Sequence, residues 1–251
     1  MKKIQAPREI VPVNGHFDYD QVPRGHYEKI IWNDHPIRSF WHQKRFVEME
    51  TMMATDSTSV ILDYGCASGS FLGSFRKPYA SAVGVDIAKT QIDLANEKYG
   101  SSRLRFVASD FESMAFQEGS FDFIVVSEVI EHISYQGSRE MLVKFGDLLK
   151  PKGQLILSTP NYHSLWPLIE LFVNRFSEVD YDHQHINKLH EKKCRKILDE
   201  SGFRIDRYLT TFVLSPFVTP ISAAFAGSLY EFEKKYLPAA GSIILLSASK
   251  K

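Results

Sequence analysis

Two cysteines in 251 residues, Cys66 and Cys194, are too few for a disulfide framework. The N-terminal stretch shows no charged-then-apolar signal segment, so the sequence fits a reducing cytoplasm. Nor does any apolar run reach the roughly 20 residues of a membrane span. The longest near the C-terminus, "LSPFVTPISAAFAGSLY", is cut short by its prolines. Charge of one sign is missing too: 30 Lys and Arg against 30 Asp and Glu give a net charge of zero. Such a chain has no global field with which to recruit nucleic acid or an anionic membrane. Repeats and low-complexity tracts are absent, which excludes solenoids and fibrous proteins. What is there, 44% hydrophobic and 24% charged residues, suits a folded chain with one sizeable core.

Organisation begins at Ser59. Before it, residues 1–58 read as a cap whose one clear helix lies in "IRSFWHQKRFVEMETMMA", with Ile37, Phe40, Trp41, Phe46, Val47 and Met49 near helical spacing. The earlier Tyr-, His- and Pro-rich part reads as irregular or weakly helical. From Ser59 onward, strands ("SVILDYG", "ASAVGVDI", "RLRFVASD", "FDFIVVS", "QLILSTPN") alternate with helices ("SFLGSFRKP", "KTQIDLANEKYG", "GSREMLVKFGDLLKPKG"). That alternation predicts an α/β fold with a doubly wound, mostly parallel sheet over residues 59–251. Past Asn161 the pattern changes to an apolar helix "LWPLIELFVNRF", a polar loop "SEVDYDHQHINK" and a basic helix "LHEKKCRKILDESG". A lid insertion over residues 162–188 is the expectation. Strand "FRIDRYLTTFVL", a helix near residues 221–236 and strand "GSIILLSASKK" complete the chain.

Two features at strand ends carry chemistry. "VILDYGCASGSFL" sets a strand, then Gly65 and Gly69, then a helix, a layout that lets a polar ligand approach backbone amides. Ala67 stands where a dinucleotide fingerprint needs its second glycine, and no glycine stands where it needs its last, which argues against a nicotinamide-dependent dehydrogenase. Asp86 closes "AVGVDI", where a carboxylate can accept both hydroxyl protons of a ribose.

In order and spacing, "LDYGCASGSFL", "GVDIA", "VASDFESM", "FDFIVVSEVIEHI" and "LLKPKGQLILSTPN" resemble the class I S-adenosylmethionine-dependent methyltransferases over residues 59–161. The resemblance implies a Rossmann-like, seven-stranded sheet with its last strand antiparallel. It implies that Asp63, Gly65, Cys66 and Gly69 line the methionine moiety of S-adenosylmethionine (SAM), and that Asp86, followed by Ile87, takes the ribose. Asp110 would take the adenine amino group, Phe111 would lie against the ring and Ser127 would sit near the sulfonium. Ala67 is a departure from the family pattern.

The strand "FDFIVVS" runs into "EVIEHI", so Glu128, Glu131 and His132 stand at i, i+3 and i+4 and share one face if the chain turns helical there. Paired carboxylates repel unless a proton or cation neutralises them. A divalent ion such as Mg²⁺ or Mn²⁺ is one solution, with the imidazole completing the set. A general base without metal, or a structural cap, are the others. The loop "DYDHQHINKLH" offers His183, His185 and His190 as a further ligand. "E-V-I-E-H" followed by a loop histidine is similar to the small-RNA 3′-terminal 2′-O-methyltransferases, with a comparable acidic segment in the ubiquinone-biosynthesis O-methyltransferases. That similarity favours His185, with His183 as the alternate. It implies a metal set of Glu128, Glu131, His132 and His185, and catalytic roles for Glu131, His132 and His185.

As to the acceptor, Lys192, Lys193, Arg195 and Lys196 form a basic run, yet such runs are usually solvated helix faces. The neutral total charge argues against a phosphate-backbone ligand. "YHSLWPLIELFVNRF" and the C-terminal apolar stretch suit a pocket for a hydrophobic or ring-bearing small molecule, or else form core or a dimer interface. Tyr19, Tyr27 and Trp41 would roof that pocket. The expectation is methyl transfer to a small molecule at a hydroxyl oxygen. An RNA 2′-O-methyltransferase and a non-catalytic cofactor-binding protein are the rivals.

Overall fold

The computed structural model describes residues 22–33, 35–170 and 185–251. Seven strands form one sheet in the order β3-β2-β1-β4-β5-β7-β6. They are β1 (Val60–Tyr64), β2 (Ser81–Asp86), β3 (Leu104–Ala108), β4 (Phe121–Ser127), β5 (Leu149–Pro160), β6 (Phe203–Thr211) and β7 (Ile243–Lys250). β1 pairs in parallel with both β2 and β4, while β7 runs antiparallel between β5 and β6. The doubly wound, mostly parallel sheet with an antiparallel last strand is therefore as expected.

Buried strand residues point alternately to two layers of core, as the period of two demands. Leu62, Ile124, Val126, Leu155 and Leu157 face α5 (Tyr135–Leu148) and α6 (Glu191–Glu200), packing on Leu142, Phe145 and Leu198. Ile61, Phe123, Val125 and Ile156 face the other way, toward Met49 of α2 (Pro36–Met52), Phe71 of α3 (Ser70–Ser74), Ile92 of α4 (Lys89–Tyr99) and Tyr230 of α7 (Ala223–Tyr236). Burial on both faces is why these strands read as continuous apolar runs.

Three local features have identifiable causes. A seven-residue helix, α1 (His26–Trp32), forms where an irregular or weakly helical segment was expected. So short a helix is marginal alone, and long-range bonds hold it. Glu28 accepts from Ser70 Oγ, Lys98 Nζ and Tyr99 Oη (2.7 Å for the last), and the Gln91 amide bonds Pro23 O at 3.1 Å and Gly25 N at 3.3 Å. β6 stops at Thr211, short of the expected "FVL", because Phe212 turns to φ 67°. The buried Glu233 carboxylate of α7 then collects the N–H groups of Val213, Leu214 and Ser215 at 3.1, 2.6 and 2.8 Å. Finally, no α-helix follows Ser127: Glu128 adopts φ 56° and residues Ile130–His132 make a single 3₁₀ turn.

Among the described residues, no helix is long and apolar enough to cross a membrane. The basic run on α6 is a solvated face, and Arg195 and Lys196 pair with Glu191 and Glu200 of the same helix.

Candidate active site

β1 lies at the point where the sheet changes winding direction, with β2 on one side and β4 on the other. The loops that leave β1, β2 and β4 open a crevice there, where open α/β sheets take ligands. A cavity of about 460 Å³ fills it, with Asp63, Gly65, Cys66, Asp86, Ile87 and Ser127 in its wall. It continues past Glu128, Glu131, His132 and His185 to a side made of Trp41, Trp166, Ile169 and Phe217.

The glycine loop is bent by three left-handed residues, Gly65 (φ 74°), Ala67 (φ 47°) and Gly69 (φ 73°). A Cβ at Gly65 would stand 2.3 Å from Val129 Cγ2, and one at Gly69 2.5 Å from Phe106 Cε1, so neither position tolerates a side chain. Asp86 holds the loop from below: its carboxylate accepts from Ala67 N–H at 2.8 Å and Ala88 N–H at 2.9 Å. Ala67 is the one loop residue that carries a Cβ in the left-handed region, a conformation costing an alanine about 1 kcal/mol. Ala67→Gly should therefore stabilise the protein by up to about 0.5 kcal/mol in denaturant unfolding, once the roughly 0.5–1 kcal/mol of entropy that glycine loses on folding is set against that strain. A destabilised variant would show that the Ala67 methyl packs better than its backbone suffers.

Asp63 is 2% exposed, and Oδ2 of its carboxyl has no hydrogen-bond partner. Burial first, and the negative charge of Asp86 second, push its pKa up to about 8. Burial likewise drives the Cys66 thiol well above its ordinary range, which makes it a packing group and not a thiolate nucleophile. Ser127 Oγ and Ser158 Oγ lie 3.0 Å apart. Three residues expected at the cofactor stand off the cavity wall. Gly69 caps α3. Asp110 accepts from Ser113 N–H at 2.6 Å, which holds its carboxyl below the usual range. Phe111 packs edge-on against Tyr64 and Phe145, at 6.1 and 6.2 Å.

At the far end of β4, one ligand atom each from Glu131, His132 and His185 lies within 4.8 Å of the other two. Glu128 is outside this group. Its left-handed backbone swings the carboxylate away, to accept from Ser158 Oγ at 2.8 Å and to face Arg45 Nη1 at 3.5 Å. Glu131 is 1% exposed and accepts from Thr159 Oγ1 at 3.0 Å, while its Oε1 has no partner. Burial, then the neighbouring Glu128 charge, raises its pKa well above the carboxylate range. The His132 and His185 rings lie 4.9 Å apart. Behind His185, its Nδ1 meets Glu170 Oε1 at 2.5 Å and Tyr162 Oη at 2.8 Å. Burial pushes the Glu170 carboxyl up, but hydrogen bonds from His185 and Tyr162 outweigh it and hold the group below its ordinary value. Two imidazoles and a carboxylate with an unpaired buried oxygen suit a divalent ion, and a carboxylate behind an imidazole is how metal-ligating histidines are oriented. His183, the alternate ligand, and Tyr19 lie outside the described residues, as does most of the lid loop; Tyr27 and Trp41 do line the cavity.

The sequence reading missed what α2 contributes. Arg38, His42 and Arg45 stand at i, i+4 and i+7 on the stripe that also carries Trp41, and all line the cavity. The signal was cationic residues at helical spacing inside an apolar face.

Comparison with known proteins points the same way. The sequence model of a family described as "Methyltransferase domain" matches residues 40–208. A ubiquinone biosynthesis O-methyltransferase of Coxiella burnetii (strain Dugway 5J108-111) is 30% identical over 103 residues, 40% of this chain and 43% of that protein. The chain thus spans less than half the length of the curated relatives it matches. The magnesium protoporphyrin IX methyltransferase of Synechocystis PCC 6803, solved with bound SAH (S-adenosylhomocysteine), superposes with a TM-score of 0.63 at 18% identity, covering 90% of this chain and 93% of that one. A SAM-dependent methyltransferase of Thermotoga maritima gives a TM-score of 0.65 at 13% identity, over 90% and 96% of the two chains. At such identities the structural likeness speaks for the fold.

Proposed function

Because the chain belongs to the methyltransferase-domain family, we propose that it is a SAM-dependent methyltransferase acting in the cytoplasm on a small, apolar or ring-bearing acceptor at a hydroxyl oxygen. The observation that carries this reading is the continuity of one cavity, from the glycine loop and Asp86 to the Glu131, His132 and His185 cluster under an apolar wall. When bound, SAM supplies a methyl group on a sulfonium, ready for in-line attack.

The protein's part is binding, orientation and proton removal. Gly65 lets the ligand reach the loop backbone, and Asp86, already fixed by the Ala67 and Ala88 amides, accepts the ribose hydroxyls. Asp63 has one buried carboxyl oxygen without a partner, which fits the amino acid's ammonium. Across the cavity, Trp41, Trp166, Ile169 and Phe217 exclude water from an acceptor ring. Glu131, buried and with its pKa raised, takes the hydroxyl proton, with His132 beside it. Glu131, His132 and His185 would also be the residues to hold Mg²⁺ or Mn²⁺, which would lower the pKa of the acceptor hydroxyl. Glu128 would then serve from outside, as the partner of Ser158 and Arg45. Both cysteines are buried and unpaired, which suits a reducing compartment. A small acceptor is favoured over RNA because one side of the cavity is apolar and two of the four basic residues of helix α6, Arg195 and Lys196, are paired with acids of the same helix.

Calorimetric titration with SAH, with and without Mg²⁺ or Mn²⁺, tests the reading. Binding is expected, and tighter binding or an added heat with metal would support the three-residue set. No binding under any of these conditions would overturn the proposal.

A further inference from the structure

We propose that the outward face of α7 is the interface of a two-fold dimer, in which the helix packs antiparallel against its own copy. The inference goes beyond the methyltransferase reading and does not depend on it.

α7 carries apolar side chains on two faces, where a surface helix of a monomer needs one. Ala226, Tyr230 and Glu233 are buried against the body of the protein. On another face Phe225, Leu229, Phe232 and Tyr236 stand at i, i+4, i+7 and i+11, a single stripe along the helix. Phe225, Phe232 and Tyr236 are 57%, 52% and 57% exposed, and Ile221, just ahead of the cap residue Ser222, is 85% exposed. With roughly 150–250 Å² of surface on each aromatic side chain, the stripe and Ile221 leave on the order of 500 Å² of apolar area in water. That is near the upper limit for the largest patch on a monomer. It is also more than half of the roughly 800 Å² that each partner of a stable dimer covers.

The stripe is self-complementary, as an isologous interface must be. Phe225 and Phe232 stand equally far from the midpoint between Ser228 and Leu229, and Ile221 and Tyr236 stand equally far beyond them. Antiparallel pairing about that midpoint therefore sets Phe225 of each copy against Phe232 of the other and brings Ile221 to Tyr236. The Phe232 and Tyr236 rings already lie 4.8 Å apart in one pad, the kind of aromatic anchor that dominates interface energy. Along one border of the stripe Ala224 and Ser228 are small and exposed, which lets two helices approach to the usual separation of about 8–10 Å. Glu231 and Lys235 on that border fall opposite these small residues of the other copy, so no charge directly faces its like. The charges also favour a second copy over a lipid surface. An interfacial helix has a Lys- or Arg-rich polar face, whereas here Lys234 is held by Glu48, and Glu231 offsets Lys235.

Sedimentation velocity from low to high micromolar concentration tests the interface. Wild type is expected to sediment at twice the chain mass at the upper end and to dissociate on dilution. Phe225→Glu and Phe232→Glu should each weaken the dimer by about 10²-fold or more, because a two-fold interface meets each substitution twice. SAH binding should be unchanged in both, since neither ring lines the cavity, and thermal unfolding reports whether the fold survives. A cross-link fixes the register. Ser228→Cys, beside the two-fold axis, should form a disulfide with its own copy under mild oxidation. Lys235→Cys should not, because the two-fold holds its copies about 20 Å apart along the helix axes. Cys66 and Cys194 are buried and stay out of this reaction.

A wild type that is monomeric throughout overturns the proposal. Sedimentation of that monomer with phosphatidylglycerol vesicles, lost in Phe225→Glu, would give the stripe to a membrane instead. A dimer that both glutamate variants leave intact, or that cross-links through Lys235→Cys and not Ser228→Cys, overturns it equally. Should either glutamate variant unfold, the two cysteine variants decide alone.

Discussion

Glu131→Gln should slow methyl transfer by about 10²–10⁴-fold, the range a general base contributes, while SAH affinity stays within about twofold. The amide keeps the shape and can still accept from Thr159 Oγ1, the one hydrogen bond seen to the carboxylate. It cannot take a proton or ligate a cation. Folding is not the confounder. A carboxyl whose pKa is raised on folding stabilises the native state in its protonated form, below the unfolded value, and that contribution is lost as pH rises through the folded value. Glu131 belongs to this class, so the neutral amide should leave unfolding at neutral pH unchanged or improved. The check is single-turnover methylation of a catechol-type acceptor, with SAH titration and thermal unfolding on the same preparation. Turnover equal to wild type would remove Glu131 from the chemistry.

SAH affinity should rise with pH, by up to tenfold per unit from about pH 5, and level off near pH 8, where Asp63 ionises. The reason is linkage. In the free protein Asp63 is protonated at neutral pH because burial and Asp86 disfavour its charge. An ammonium against its unpaired oxygen favours the ionised form, so binding expels a proton wherever the free site still holds one. Asp63→Asn should flatten that profile and weaken SAH by roughly 10–100-fold at pH 8, on the order of one charge-assisted hydrogen bond. The same shift acts on the empty protein with the opposite sense. Stability from protonated Asp63 is present below about pH 4 and erodes up to pH 8, to a total on the order of 5 kcal/mol before relaxation. Asparagine should abolish that erosion. A wild-type affinity independent of pH between 5 and 8 would contradict the role given to Asp63.

Much of this site was legible because the fold is built from local repeats. Strands buried on both faces leave unbroken apolar runs, and the residues that interrupt those runs, Asp63, Asp86 and Glu128, all line the crevice. The conformation that follows was not legible. Helical spacing put Glu128 with Glu131 and His132, but one left-handed residue sends its carboxylate to α2 and β5 instead. Local spacing also says nothing about long-range pairs. α1 exists because of bonds to α3 and α4, and the Arg45 to Glu128 pair joins α2 to the end of β4. Glu170 behind His185 is another such pair, created only when the chain beyond β5 folds back.

The position of β7 bears on how the protein is made. It is inserted between β5 and β6 and pairs with both, yet it follows both in the chain. On the ribosome, β5 therefore emerges with one edge open, and β6 has no neighbour to join until Ile243–Lys250 has been synthesised. At about 5–20 residues per second, that apolar edge stays available to other chains for several seconds. Crowded expression should then lose material to aggregation before the sheet is zipped, and slower initiation or cooler growth should recover it.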